Sequence, residues 1–97
     1  MLRVSHAFHS PLMDPMLAAF AEVARSIRYH APTRPLISNL SGRLAGAEIC
    51  TPEYWVRHVR EAVRFADGLH TLAAADVRSF VEIGPKSTLL GLVPACL

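Results

Sequence analysis

The residues Leu12, Met16, Phe20, Val23 and Ile27 recur at steps of four, four, three and four. At about 100° per residue these positions fall on one face of a helix. Two start signals precede or overlap the run. Ser10-Pro11 and Asp14-Pro15 each offer a side chain able to accept an N-terminal amide, followed by a proline whose fixed φ suits the first turn. Proline sits badly deep inside a helix, so the regular part is predicted to begin near Asp14. Arg25 and Arg28 near its end suit the negative pole of the helix dipole.

The segments that follow alternate in character. Tyr29 to Pro35 is a loop with two prolines. Leu36-Ile37-Ser38-Asn39-Leu40 predicts a short strand ended by Ser41-Gly42, and Arg43 to Cys50 a surface connection. Thr51-Pro52-Glu53 is a strong helix start: a threonine cap, a proline at the first position and a carboxylate near the positive pole. Trp55, Val56 and Val59 then line one face. A further helix is predicted from about Phe65 to Ala75, with Phe65, Leu69, Leu72 and Ala73 inward and Gly68 weakening it slightly. Arg78 to Ile83 reads as a strand, favoured by Val81 and Ile83. Gly84-Pro85 turns the chain, and Ser87 or Thr88 caps a last helix through Leu89, Leu90, Leu92 and Val93.

With Leu2-Arg3-Val4 read as the tail of a strand, the order is strand end, helix, strand, helix, helix, strand, helix. This predicts an α/β fold, a mostly parallel sheet flanked by helices. The apolar material at both ends, Leu2-Arg3-Val4 and Leu92 to Leu97, predicts that residues 1–97 are a fragment of a longer chain and that the sheet is incomplete.

Composition narrows the function. Ten basic and eight acidic residues give a net charge of +2. That is too weak and scattered for a nucleic-acid surface. Cys50 and Cys96 stand apart, with neither CxxC nor metal spacing, and read as free thiols of a reducing compartment. No apolar stretch approaches the ~20 residues needed to span a bilayer, and no apolar run follows Met1. The expectation is a soluble cytoplasmic protein with no membrane or nucleic-acid partner.

Chemistry concentrates in Ser5-His6-Ala7-Phe8-His9-Ser10. In α/β folds functional groups gather where a strand end meets a helix start, and His9 falls at such a junction. A histidine facing the positive pole of a helix is disfavoured as imidazolium, and a neutral imidazole is what a general base requires. Without further information His9 could equally cap or pack. His6 and His9 have H-x-x-H spacing, but no third ligand accompanies them, so no metal is expected.

The segment His6-Ala7-Phe8-His9-Ser10-Pro11-Leu12-Met13 resembles the HAFHSPLM stretch of polyketide synthase acyltransferases. Tyr54-Trp55-Val56-Arg57-His58-Val59-Arg60 with Val63-Arg64-Phe65 resembles that family's YWVRHLREPVRF run. Phe80-Val81-Glu82-Ile83-Gly84-Pro85 resembles its FVELGP turn. The three segments lie in the family's order and cover essentially the whole chain.

The resemblance implies the C-terminal part of a modular synthase's acyltransferase domain, within its large α/β-hydrolase-like subdomain. It implies transfer of a malonyl extender from coenzyme A to an active-site serine, then to the phosphopantetheine thiol of an acyl carrier protein. No cofactor is implied within this segment, and the remainder of the synthase is an implied partner. His9 matches the catalytic base. His58 matches a position whose backbone carbonyl orients that base, so its side chain is not expected to be essential. His6, Ala7 and Phe8 match the malonyl-selective version of the motif, in which phenylalanine fills the space an extra methyl group needs. The family's serine lies in a Gly-His-Ser-x-Gly elbow. Ser5, Ser10, Ser38, Ser41, Ser79 and Ser87 all lack those flanking glycines. The alternative is a non-catalytic remnant with no independent activity.

Overall fold

A computed structural model describes residues 8–97. The expected strand end Leu2-Arg3-Val4 and the motif residues His6 and Ala7 lie outside them. Among the described residues four α-helices follow one another: α1 at Leu17–Arg25, α2 at Pro52–Arg60, α3 at Phe65–Ala74 and the short α4 at Val93–Cys96. Short 3-10 turns precede α1, α2 and α4, at Pro11–Met16, Ala47–Cys50 and Leu90–Leu92.

The first helix starts later than the sequence predicts, and Pro15 is the cause. Lacking an amide hydrogen, it cannot join an α-helical ladder, and Pro11–Met16 winds as a 3-10 turn instead. Ser10 caps that turn, its Oγ accepting from the Leu12 amide at 3.3 Å. Regular α-helix begins at Leu17 and ends at Arg25.

The second helix begins as its sequence dictates. Thr51 is extended, its Oγ1 accepts from the Tyr54 amide at 3.3 Å, Pro52 occupies the first helical position and Glu53 the first turn. The same hydroxyl donates to the Glu48 carbonyl at 2.8 Å, fastening the preceding 3-10 turn to the helix. Trp55 Nε1 donates to the Ile49 carbonyl at 2.8 Å. Helices α1 and α2 pack together. Arg60 Nε bonds Asp14 Oδ1 at 2.7 Å, joining the end of α2 to the turn before α1.

The expected parallel sheet is not found: among the described residues there is no strand, only an isolated antiparallel bridge between Ile37 and Leu44. Two different causes apply. At Leu36–Leu40 the chain reverses before a ladder can grow. Ser38 Oγ accepts from the Leu40 and Ser41 amides at 3.1 and 3.4 Å, a side chain competing with a neighbouring strand for backbone donors. Gly42 then completes the reversal at φ +69, where a Cβ would come within 2.5 Å of the Asp67 Cβ. At Arg78–Ile83 the segment has no strand beside it to complete a ladder among the described residues. A strand-like alternation survives nonetheless: Phe80 and Glu82 are half-buried, whereas Val81 and Ile83 are 86% and 96% exposed.

The last helical segment is capped by an unexpected residue. The Glu82 carboxylate accepts from the Thr88, Leu89 and Leu90 amides at 3.2, 2.9 and 3.0 Å, where Ser87 or Thr88 is expected to serve. These bonds, led by that from Leu90, hold the Glu82 carboxyl below the usual carboxylate range. Cys50 and Cys96 are free thiols. No helix among the described residues is long and apolar enough to cross a membrane.

The buried apolar set among the described residues is small: Met13, Ala24, Ile49, Tyr54 and Leu69. Of the apolar face read from the sequence, Leu12, Val23 and Ile27 are exposed. Phe20, Val23, Ala24, Ile27, Tyr29 and Trp55 line an open groove of about 230 Å³. Such exposure is costly in water and leaves little hydrophobic stabilisation to offset chain entropy. The 97-residue chain by itself is therefore expected to melt broadly below about 45 °C, under the usual range of mesophilic domains, and to bind a hydrophobic dye before melting. A sharp, high-temperature calorimetric transition without dye binding would contradict this.

Candidate functional site

His9 lies just before the Pro11–Met16 turn and is tied to the far end of α2. Its backbone amide donates to the Val59 carbonyl at 2.7 Å, and its Nδ1 lies 3.0 Å from the Glu61 carbonyl. The last carbonyls of a helix have no partner within the helix. His9 satisfies two acceptors at that end, one with its main chain and one with its side chain. These bonds hold His9 at φ +63, left-handed backbone that costs a non-glycine residue about 1–2 kcal/mol.

The side-chain bond determines the tautomer. A carbonyl oxygen only accepts, so Nδ1 carries the hydrogen and donates. In the neutral ring Nε2 then has a free lone pair. This is the arrangement a general base needs: one nitrogen anchored, the other able to take a proton. The helix-pole argument made from sequence applies less directly. The element after His9 is a six-residue 3-10 turn, and the contacts that fix the ring come from the carbonyl end of α2.

The carbonyl that meets the His9 ring is that of Glu61, not that of His58 as the resemblance implies. His58 lies within the last turn of α2, whose carbonyls run along the helix axis. Glu61 is the residue after the helix, at φ −87 and ψ 157, and the change to extended backbone turns its carbonyl off the axis toward the imidazole. Its side chain faces elsewhere, pairing with Arg57 at 2.7 Å, and this pairing lowers the Glu61 carboxyl below its ordinary range. Locating the end of α2 is the signal that could identify Glu61 from sequence.

His58 meets His9 through its ring. The two imidazoles stand 5.4 Å apart, nearly perpendicular. His58 also lies 5.3 Å from the Trp55 ring and 6.1 Å from that of Tyr54. Tyr54 shares a 2.8 Å hydrogen bond with Ser38, which is only 1% exposed. Asn39 Nδ2 lies 3.3 Å from His58 Nε2. Partial burial lowers the His58 pKa below that of a free imidazole, and the neighbouring His9 lowers it further. Nothing in the sequence links Asn39 to this cluster, because the contact spans 19 positions.

Phe8, next to His9, is 46% exposed, while His6 and Ala7 lie outside the described residues. His70 is remote from the cluster in its bonding, its Nε2 donating to the Cys96 carbonyl at 2.8 Å.

Comparison with known proteins gives a consistent result. Residues 1–96 match the acyl transferase domain family. The chain is 53% identical over 97 residues to the spectinabilin polyketide synthase system protein NorB of Streptomyces orinoci, covering 99% of this chain and 4% of that protein. Among solved structures, the acyltransferase domain from the second module of the salinomycin polyketide synthase superposes with a TM-score of 0.90 at 53% identity, covering 99% of this chain and 23% of that one. The malonyl CoA-acyl carrier protein transacylase of Burkholderia pseudomallei gives 0.79 at 31% identity, with 98% and 34% covered. The chain thus spans a small share of the length of the proteins it matches.

The carbonyl anchor makes a prediction of its own. Nitrogen-resolved NMR spectra of the uncharged His9 ring are expected to show it protonated on Nδ1 and bare on Nε2. Glu61→Ala should preserve that pattern, because the acceptor is a main-chain atom. A switch to the Nε2-protonated form in this variant would contradict the assignment.

Proposed function

This chain belongs to the acyl transferase domain family, and from that premise we propose that it is the histidine-bearing part of an enzyme that moves a malonyl group from coenzyme A to an acyl carrier protein in polyketide biosynthesis. The observation that carries the reading is the 3.0 Å bond from His9 Nδ1 to the Glu61 carbonyl, which leaves Nε2 as the proton acceptor. The nucleophilic serine is assigned to the remainder of the synthase chain, since these 97 residues hold no Gly-His-Ser-x-Gly.

In the first half-reaction His9 Nε2 takes the proton of the serine hydroxyl as its oxygen attacks the thioester carbonyl. The carbon–sulfur bond breaks, and the proton on Nε2 passes to the departing coenzyme A thiolate. In the second half-reaction Nε2 takes the proton of the carrier protein's phosphopantetheine thiol as sulfur attacks the acyl-serine ester. The ester bond breaks and the serine oxygen recovers that proton. Throughout, Nδ1 keeps its hydrogen and its bond to Glu61, so the imidazolium formed in each half-reaction is held in place.

Malonyl selectivity is assigned to Phe8, with His6 and Ala7 as its motif neighbours. The half-exposed ring of Phe8 is adjacent in sequence to the base and offers bulk where a methyl on the acyl α-carbon would need room. The malonyl transacylase likeness supports the same class of substrate.

In an acyltransferase carrying this segment, His9→Ala is expected to lower acyl transfer by about 10²–10⁴-fold, the usual worth of a positioned acid–base group. Retention of near wild-type transfer would refute the catalytic role and favour a remnant. Phe8→Ser in the same protein is expected to raise the preference for methylmalonyl-CoA over malonyl-CoA by about tenfold or more, the scale on which pocket volume discriminates. Competition assays with both thioesters read this directly, and an unchanged ratio would remove Phe8 from the selectivity assignment.

A further inference from the structure

With the Glu61 carbonyl as the anchor of His9, the His58 side chain is available for a role of its own. We propose that His58 and Asn39 form a positioning pair that holds the His9 imidazole in its productive orientation through the perpendicular ring contact. This inference rests on the acyl-transfer reading of His9.

One hydrogen bond leaves the His9 ring a degree of freedom. The bond from Nδ1 to the Glu61 carbonyl fixes a direction but allows the ring plane to turn about it. A second contact off that axis is needed to fix the plane. The His58 ring supplies it, 5.4 Å away with the planes at 81°. Edge-to-face packing of this kind depends on orientation, so turning either ring weakens it.

His58 is itself held from several sides. It shares a face of α2 with Tyr54, one helical turn earlier. Tyr54 is buried and bonded to Ser38, and Trp55 is tied to the Ile49 carbonyl. Asn39 Nδ2 donates to His58 Nε2, which must therefore be unprotonated, with any ring hydrogen on Nδ1. The Asn39 carbonyl in turn accepts from the Arg64 amide at 2.8 Å, fixing the loop that presents the asparagine. A bond that requires an unprotonated Nε2 also keeps His58 uncharged. This matters because an imidazolium at 5.4 Å would repel the positive charge that His9 acquires during transfer.

The pair is a positioning device and not catalytic machinery, since neither residue needs to touch the reacting atoms. Its loss should affect the rate of the bound complex more than substrate binding. Misplacement of a catalytic group by a fraction of an ångström is enough to slow a reaction about tenfold.

The test is acyl-transfer kinetics in the full synthase polypeptide, with malonyl-CoA as donor and an acyl carrier protein as acceptor. His58→Ala removes the ring contact and the Asn39 acceptor together, and is expected to lower kcat about tenfold with KM for malonyl-CoA changed less than about twofold. His58→Phe keeps a ring that can pack edge-to-face on His9, and should recover kcat to within about threefold of wild type. Asn39→Ala releases the His58 ring and should lower kcat in the same direction, and combining it with His58→Ala should cost no more than His58→Ala alone, as for residues acting through one contact. If His58→Ala does not fold, as judged by circular dichroism, the His58→Phe and Asn39→Ala variants decide the matter by the same criteria. A kcat for His58→Ala within about twofold of wild type, failure of His58→Phe to recover, or additive losses in the double variant would each overturn the pair. His9→Ala run alongside separates the two ideas. Loss of transfer there with full activity in His58→Ala rejects only the pair, whereas full activity in His9→Ala rejects both.

Discussion

The carbonyl end of α2 is where the described structure converges. A helix leaves its last acceptors unpaired, and burial of such groups without partners is costly. Here a single residue from 50 positions earlier meets two of them, the Val59 carbonyl with its amide and the Glu61 carbonyl with its ring. Helix capping and the fixing of an imidazole are thus one act. The left-handed backbone of His9 is what allows amide and imidazole to reach the same helix end together. The Arg60–Asp14 pair fastens the adjoining turn to that end from outside, and the packing of α1 on α2 holds the two segments in register.

Around this point polarity is handled with economy. Ser38 is almost wholly buried, yet its hydroxyl meets two backbone amides and the Tyr54 hydroxyl. None of the buried side-chain polar atoms among the described residues lacks a partner. The reversal at residues 38–42 therefore serves two ends. It turns the backbone, and it anchors the aromatic face of α2 on which His58 sits. The short hydrogen bond from Thr71 Oγ1 to the Gly42 carbonyl then secures the reversal against α3.

The local parts of this arrangement were legible in the sequence, and the long-range parts were not. Thr51-Pro52-Glu53 announces α2 because a cap, a fixed φ and a favourable charge are all written within three residues. His9 stands out because its motif is contiguous. Pro15 was legible as an obstacle, but not as the cause of a whole 3-10 turn. The sheet is not found among the described residues, because strand identity depends on a neighbour. Leu36–Leu40 has the right residues, yet Ser38 diverts the backbone amides, and Arg78–Ile83 keeps only an alternation of exposure. Glu61, Asn39 and Glu82 escaped notice because their roles arise from where helix ends and turns place them, not from residue type. The malonyl-type motif is legible only as a resemblance, and two of its residues, His6 and Ala7, lie outside the described residues.

The separation of His9 and Glu61 along the chain has a kinetic consequence. Their contact closes a span of 52 positions, and such closures wait until the intervening segments have ordered. Before that moment the imidazole exchanges freely between its two tautomers, and only one of them presents a bare Nε2. The bare Nε2 is therefore fixed late in folding, as a by-product of finishing a helix. A nascent or locally opened chain carries the same histidine in an uncommitted form. The state of the ring is thereby coupled to structural completion, so a half-folded chain has not yet settled which of its two nitrogens is bare.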